Sequence, residues 1–95
     1  MKAPCVYIMA SAPNGTLYVG VTSDLVKRVW QHKTCATPGF TSKYGVQHLV
    51  WHEQHEIMES AILREKQIKS GSRARKIALI EARNPQWLDL YEQIT

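Results

Sequence analysis

The sequence predicts an α+β fold, a three-stranded antiparallel β-sheet flanked by helices in the order β-β-α-β-α-α. Two short runs of strand-forming residues flank a Pro-Asn-Gly turn, a third alternating run follows a capped helical stretch, and two helical stretches meet at Ser70-Gly71. The 95 residues make one domain, residues 1–95, because a single core usually serves about 100–150 residues. Hydrophobic residues at 44% and charged residues at 21% are the profile of a folded chain rather than a disordered one. Twelve Lys and Arg against eight Asp and Glu leave a net charge of +4, which suits a polyanionic partner. No apolar run approaches the roughly 18 residues of a membrane span, and no apolar leader follows a charged N-terminus. The expected location is the cytoplasm, with no membrane partner. Cys5 and Cys35 lack metal-type spacing and are too few for a disulfide framework, so both read as free thiols.

The first strand is Cys5 to Met9 (CVYIM) and the second is Leu17 to Val21 (LYVGV). Between them, Asn14-Gly15 supplies positive backbone φ at low cost and predicts an antiparallel hairpin. With Asn14 and Gly15 as the two central residues, Tyr7 faces Thr22 and Ser11 faces Tyr18, which puts both tyrosines on one sheet face. Thr22-Ser23-Asp24 offers caps for a helix running to about Lys33, with Leu25, Val26, Val29 and Trp30 as its apolar stripe. Thr34 to Gly45 is a polar loop, and Val46 to Glu53 alternates as the third strand. Glu56 to Lys69 is helical and ends at Ser70-Gly71; Arg73 to Ala82 follows and closes at Asn84-Pro85. Trp87, Leu90 and Tyr91 suggest a last helical turn or two packed back on the body.

Several polar residues fall where the pattern calls for apolar ones. With Met58 at 0° on a helical wheel, Ala61 lies at about −60°, Ile62 at about +40° and Ile68 at about −80°. Glu65 falls at about −20°, inside that apolar arc. An unpaired buried carboxylate is costly, so Glu65 needs a partner: a cation, a metal or a hydrogen-bond donor. A structural ion pair satisfies that need as well as a ligand does. Arg28 and His32 stand four apart along the edge of the first helix's stripe. One is a fixed cation with a planar donor fork suited to phosphate; the other is the side chain best matched to proton transfer near neutral pH. A solvated surface pair is the alternative. His48 and His52 share parity with Val50, and His55 lies beyond the strand; no zinc-finger spacing joins them to a cysteine. Lys66, Lys69, Arg73, Arg75 and Lys76 form a basic run that is either a solvated face or a track for a phosphate backbone.

Cys5-Val6-Tyr7, Tyr18-Val19-Gly20, Arg28, His32 and the later helical Glu65 together resemble the GIY-YIG nuclease superfamily. The resemblance runs from Cys5 to about Trp87 and is closest to its small stand-alone bacterial branch. Phe40-Thr41-Ser42-Lys43-Tyr44, Arg64 to Lys69 and Asn84-Pro85-Gln86-Trp87 are similar to that branch as well. Cys5 stands where the first motif has glycine, and Val19 where the second has isoleucine; both tyrosines are kept. The resemblance implies an endonuclease that hydrolyses phosphodiester bonds with Mg²⁺ or Mn²⁺. It implies Glu65 as the one protein ligand of the cation, and Tyr7 as the group that activates the attacking water. Tyr18 and His32 would position or relay the proton, and Arg28 would stabilise charge on the scissile phosphate. Gly20 would let the backbone pass beneath that phosphate, and Asn84 corresponds to a late family asparagine on the nucleic-acid side.

The implied substrate is DNA in branched, damaged or single-stranded form, as met in repair and recombination, with a protein partner for targeting left open. The five residues Tyr7, Tyr18, Arg28, His32 and Glu65 are then expected to line one cleft on a single sheet face. Two other functions compete. One is a non-catalytic nucleic-acid-binding module that keeps the scaffold and binds through Lys66, Lys69, Arg73, Arg75, Lys76 and Asn84. The other is a small interaction protein presenting Trp51, Trp87 and Tyr91 as an apolar patch.

Overall fold

Cys5–Ala10 forms β1, and all six of its residues are buried. That follows from its place at the centre of a sheet ordered β2-β1-β3, covered on both faces, with β2 spanning Leu17–Thr22 and β3 spanning His48–Gln54. Both pairings are antiparallel. The computed structural model describes residues 3–34, 39 and 43–95, so Cys35 and Phe40-Thr41-Ser42 lie outside the described residues. Cys5 is a free, buried thiol.

The alternation of β1 divides the core into two layers. Cys5, Tyr7 and Met9 face Leu25 and Val29 of helix α1 (Leu25–Lys33), together with Val46 and Leu49. Val6, Ile8 and Ala10 face the other way. There they meet Ala61 and Ile68 of α2 (Met58–Ser70), Ile80 of α3 (Arg73–Glu81), Trp51 and Trp87. Leu90, Tyr91 and Ile94 close over the α1 layer, and Tyr91–Ile94 forms α4. The fold class is as expected, a three-stranded antiparallel sheet flanked by helices. The last turn after Trp87 makes a fourth helix among the described residues. Asp24 caps α1 through its carboxylate to the Lys27 amide, and Ser72 caps α3 through its hydroxyl to the Arg75 amide.

Three local expectations are corrected. Tyr7 pairs with Gly20, not Thr22, and Tyr18 pairs with Met9, not Ser11. The turn is Ala12–Gly15, closed by the Gly15 amide on the Ala12 carbonyl at 2.9 Å, with Asn14 at φ 58°. Pro13, with its fixed φ, takes the first central position and hands the left-handed one to Asn14. The shift is two residues, so both tyrosines stay on one face. Second, a bulge between Ile8 and Met9 breaks the parity of β3: His52 lies opposite Tyr7 and His48 opposite Ala10, on opposite faces. Third, Trp30 is 52% exposed, while His32, seven residues after Leu25, is 5% exposed and completes the buried stripe of α1.

The free edge of β3 is closed by the chain's last quarter. The Leu90 amide donates to the Leu49 carbonyl at 2.8 Å, the Leu49 amide donates to Asp89 Oδ1, and Arg83 Nη1 donates to the His52 carbonyl. Asn84 is buried and uses its whole amide here: Nδ2 donates to the carbonyls of Val50 and Leu88, and Oδ1 accepts from the Leu88 amide. An edge so covered offers no template for another strand. Trp51 and Trp87 are 2% and 4% exposed and belong to the core, so they do not join Tyr91 in the expected apolar patch. No helix among the described residues is long and apolar enough to cross a membrane.

Candidate functional site

On the α1 face of the sheet, β1 delivers Tyr7, β2 delivers Tyr18 and α1 delivers Arg28 and His32 to one cluster. Tyr7 Oη lies 2.9 Å from His32 Nε2, and Arg28 Nε donates to the same oxygen at 3.4 Å. The Tyr7 and Tyr18 rings are 6.2 Å apart between centroids, and His32 sits 5.7 Å from the first and 5.3 Å from the second. The four-residue spacing of Arg28 and His32 aims both side chains at the phenol. Gly20, opposite Tyr7 in the sheet, is the reason the ring fits: a Cβ there would stand 2.6 Å from Tyr7 Cζ and Oη. The requirement for glycine therefore comes from Tyr7 itself, where the resemblance had implied an approaching phosphate.

The cluster's protonation follows from burial and from one fixed cation. Tyr7 is 1% exposed, and burial pushes its phenol up to about 12 against the opposing pull of the Arg28 guanidinium. Burial, helped by the Arg28 charge, pushes the His32 imidazole down to about 4. Arg28 is itself raised, chiefly by its hydrogen bond to Tyr7. Near neutral pH the set is thus a neutral phenol, a neutral imidazole and a guanidinium. Arg28 can only donate, so the Tyr7 oxygen accepts from it, and the phenolic hydrogen is assigned to the bond with His32 Nε2. A proton taken up by Tyr7 Oη from outside has a ready onward acceptor. Gln31, which sequence reasoning missed, accepts from Arg28 Nη1 at 3.2 Å and fixes the plane of the guanidinium. Its three-residue spacing from Arg28 is the signal that would have found it.

Glu65 is not brought into contact with this cluster. It lies on α2 between Ala61 and Ile68, which pack against Val6, Ile8 and Val19 on the opposite sheet face from the tyrosines. Tyr7, Tyr18, Arg28 and His32 thus meet on the α1 side, while Glu65 stands on a helix whose buried residues pack against the other side of the sheet. Glu65 is sheltered, with its side chain 15% exposed, and pairs with Lys69 at 3.3 Å; Lys69 is 52% exposed. Its helix packs against β1 and β2, and β2 is an outer strand of the sheet. Among the described residues no group of three or more His, Cys, Asp or Glu could hold a metal. A lone, sheltered carboxylate whose partner is an exposed ammonium fits one kind of ion, a hard cation that keeps most of its water.

The basic run divides. Arg73 Nη2 donates to the carbonyls of Asn14 and Gly15, tying α3 to the hairpin turn. Lys76 Nζ donates to the carbonyls of Lys69 and Gly71 and finishes α2. Lys66 and Arg75 are exposed. Asn84 is buried, with its amide committed to backbone partners inside the fold.

The GIY-YIG catalytic domain family model matches residues 3–78. UPF0213 proteins of Staphylococcus aureus strains Mu3 and N315 are each 34% identical over 83 residues, covering 87% of this chain and 100% of theirs. The solution NMR structure of a UPF0213 protein from Bacillus halodurans superposes with a TM-score of 0.57 at 26% identity, covering 90% of both chains. A match over most of the chain, full-length relatives and a shared fold agree with the paired tyrosines and the α1 Arg-His pair: this chain belongs to the GIY-YIG family and is related to its small bacterial UPF0213 branch.

Proposed function

We propose that the chain is a metal-dependent phosphodiesterase that cuts nucleic acid, with DNA as the substrate the family resemblance implies. The observation that carries this reading is the Tyr7 phenol, buried yet bonded to both a guanidinium and a neutral imidazole. A core tyrosine needs one partner; here a fixed cation that can hold phosphate oxygens and a neutral base that can take a proton both meet one oxygen, the two services that hydrolysis calls on. Arg28 supplies a fixed charge for the non-bridging phosphate oxygens. That same phosphate opposes the field of Arg28, so substrate binding raises the basicity of His32. Tyr7 Oη then takes a proton from the attacking water as its own proton passes to His32 Nε2. Tyr18 packs beside the imidazole, with the ring centroids 5.3 Å apart. A bound Mg²⁺ or Mn²⁺, held by Glu65, would supply the Lewis acid that neutralises developing charge on the phosphate.

The rival reading, a nucleic-acid-binding module without turnover, is favoured by a specific observation: the Glu65 carboxylate is already paired with Lys69, on a helix whose buried residues pack against the sheet face opposite the phenols. One experiment separates the two. Purified chain is incubated with labelled single-stranded, duplex and branched DNA, and with RNA, in Mg²⁺, Mn²⁺ or EDTA. Hydrolysis predicts metal-dependent cleavage that Tyr7→Phe, Arg28→Ala and Glu65→Ala each reduce by roughly 10²–10³-fold. Equal cleavage by wild type, Tyr7→Phe and Glu65→Ala would assign the activity to a contaminant. Salt-sensitive binding with no cleavage in any metal would establish the module.

A further inference from the structure

A cavity lies between the end of α2 and the start of α3, on the sheet face opposite Tyr7. It measures about 250 Å³. Arg64, Arg75, Lys76 and Gln67 form its walls, over an apolar floor of Ile68 and Leu79. Among the described residues no acidic side chain lines it. We propose that this cleft seats the phosphodiester backbone of a single nucleic-acid strand, as a docking site separate from the Tyr7 cluster. The proposal rests on the nucleic-acid reading above but not on hydrolysis.

Three features of the cleft point to a phosphate chain. First, its positive charge is only partly balanced. Arg64 is held by Glu53 at 3.1 Å and stacks on Trp51, but the Lys76 ammonium meets two carbonyls and no carboxylate, and Arg75 is exposed. Second, the first turn of α3 carries Arg73, Arg75 and Lys76 and no acidic residue. Cations at that end of a helix oppose its dipole and repel one another, an arrangement that an entering anion relieves. Third, the combination of walls and floor is specific. Guanidinium and ammonium groups match phosphate oxygens, while Ile68 and Leu79 offer the apolar contact that a sugar ring uses and a free anion does not. Gln67 adds an amide that can donate to phosphate or sugar oxygen.

The basic run read from the sequence is thereby resolved into parts. Arg75 and Lys76 belong to the cleft, Arg64 and Gln67 join it, and Lys69 and Arg73 serve Glu65 and the hairpin turn instead.

The test is binding of a short labelled single-stranded DNA to the full chain in EDTA, where metal-dependent cleavage is off, across a salt series. Arg75→Gln is expected to weaken binding roughly 3–10-fold at low salt and to flatten the log–log salt slope by about 0.7, the loss of one strand contact. The equal charge change Lys43→Gln should leave the slope within error, and Tyr7→Phe should leave the Arg75-dependent part intact. In the same buffer, the DNA should shift the amide resonances of Gln67, Gly71 and Arg75. An unchanged affinity and slope in folded Arg75→Gln would overturn the proposal. So would inorganic phosphate shifting those amides when the DNA does not, which marks a free-anion site. Arg75-dependent binding without any cleavage would sink hydrolysis and keep the cleft; cleavage with Arg75-independent binding would do the reverse.

Discussion

Gly20 and Tyr7 act as one unit, because the phenol occupies the volume a side chain at position 20 would fill. Gly20→Ala would bring its Cβ to 2.6 Å from Tyr7 Oη and 3.0 Å from Tyr18 Cε1. The ring cannot yield freely, since its oxygen is bonded to His32 and Arg28. The expected cost is about 1–3 kcal/mol, read as a lower urea midpoint with unchanged slope, together with loss of any Tyr7-dependent cleavage. His32 adds a pH signature. An unfolded imidazole binds a proton below about 6.5, whereas the folded one, held at about 4, does not. Stability is therefore lost as pH falls from about 6.5 towards 4, by up to about 3 kcal/mol from this group. His32→Gln removes that group, so the stability gap between wild type and variant should narrow between pH 7.5 and pH 4.5. A gap independent of pH would show that His32 titrates normally.

At the scale of elements, the site is held by how the strands and the C-terminal segment lock together. Asn84 bridges β3 to the segment before α4 with three hydrogen bonds to backbone. Asn84→Ala leaves the buried Val50 carbonyl and the part-buried backbone groups of Leu88 without these partners, which costs about 1–3 kcal/mol. Faster amide exchange over residues 88–94 than in α1 would confirm that the loss is local; uniform destabilisation would mean the bracket belongs to the whole core. The sequence disclosed that β1 and β2 form a hairpin and that Tyr7 and Tyr18 share a face, because parity survives a two-residue slip. The register itself was hidden: Asn14-Gly15 and Pro13-Asn14 are both good turn centres, and only the closed Ala12–Gly15 turn decides between them. The bulge after Ile8 leaves no mark in composition, so the faces of His48 and His52 were not legible. Nor was His32's burial, since a helical wheel prefers Trp30 to histidine for the apolar stripe, and a polar role for the imidazole is what reverses that preference.

For the molecule as a whole, the sheet is both scaffold and partition. Tyr7, Tyr18, Arg28 and His32 form a site on the α1 side; Glu65 and the Arg75 cleft lie with α2 and α3 on the other. The residue types were readable in advance because each carries its own chemistry, but their distribution over two faces depends on which side of β1 each helix takes. Glu65 decides whether the partition divides the function as well. Its pair with Lys69 is an i,i+4 contact with one partner half exposed, so Glu65→Gln should change stability by no more than about 0.5 kcal/mol. If the carboxylate reaches the substrate around the β2 edge, the same variant should lose roughly 10²–10³-fold in metal-dependent cleavage while binding DNA in EDTA as the wild type does. That combination of intact fold, intact binding and lost turnover is one that a structural ion pair cannot produce. Full cleavage by Glu65→Gln, alongside none by Tyr7→Phe, would instead confine the chemistry to the α1 face and leave Glu65 as a helix ion pair.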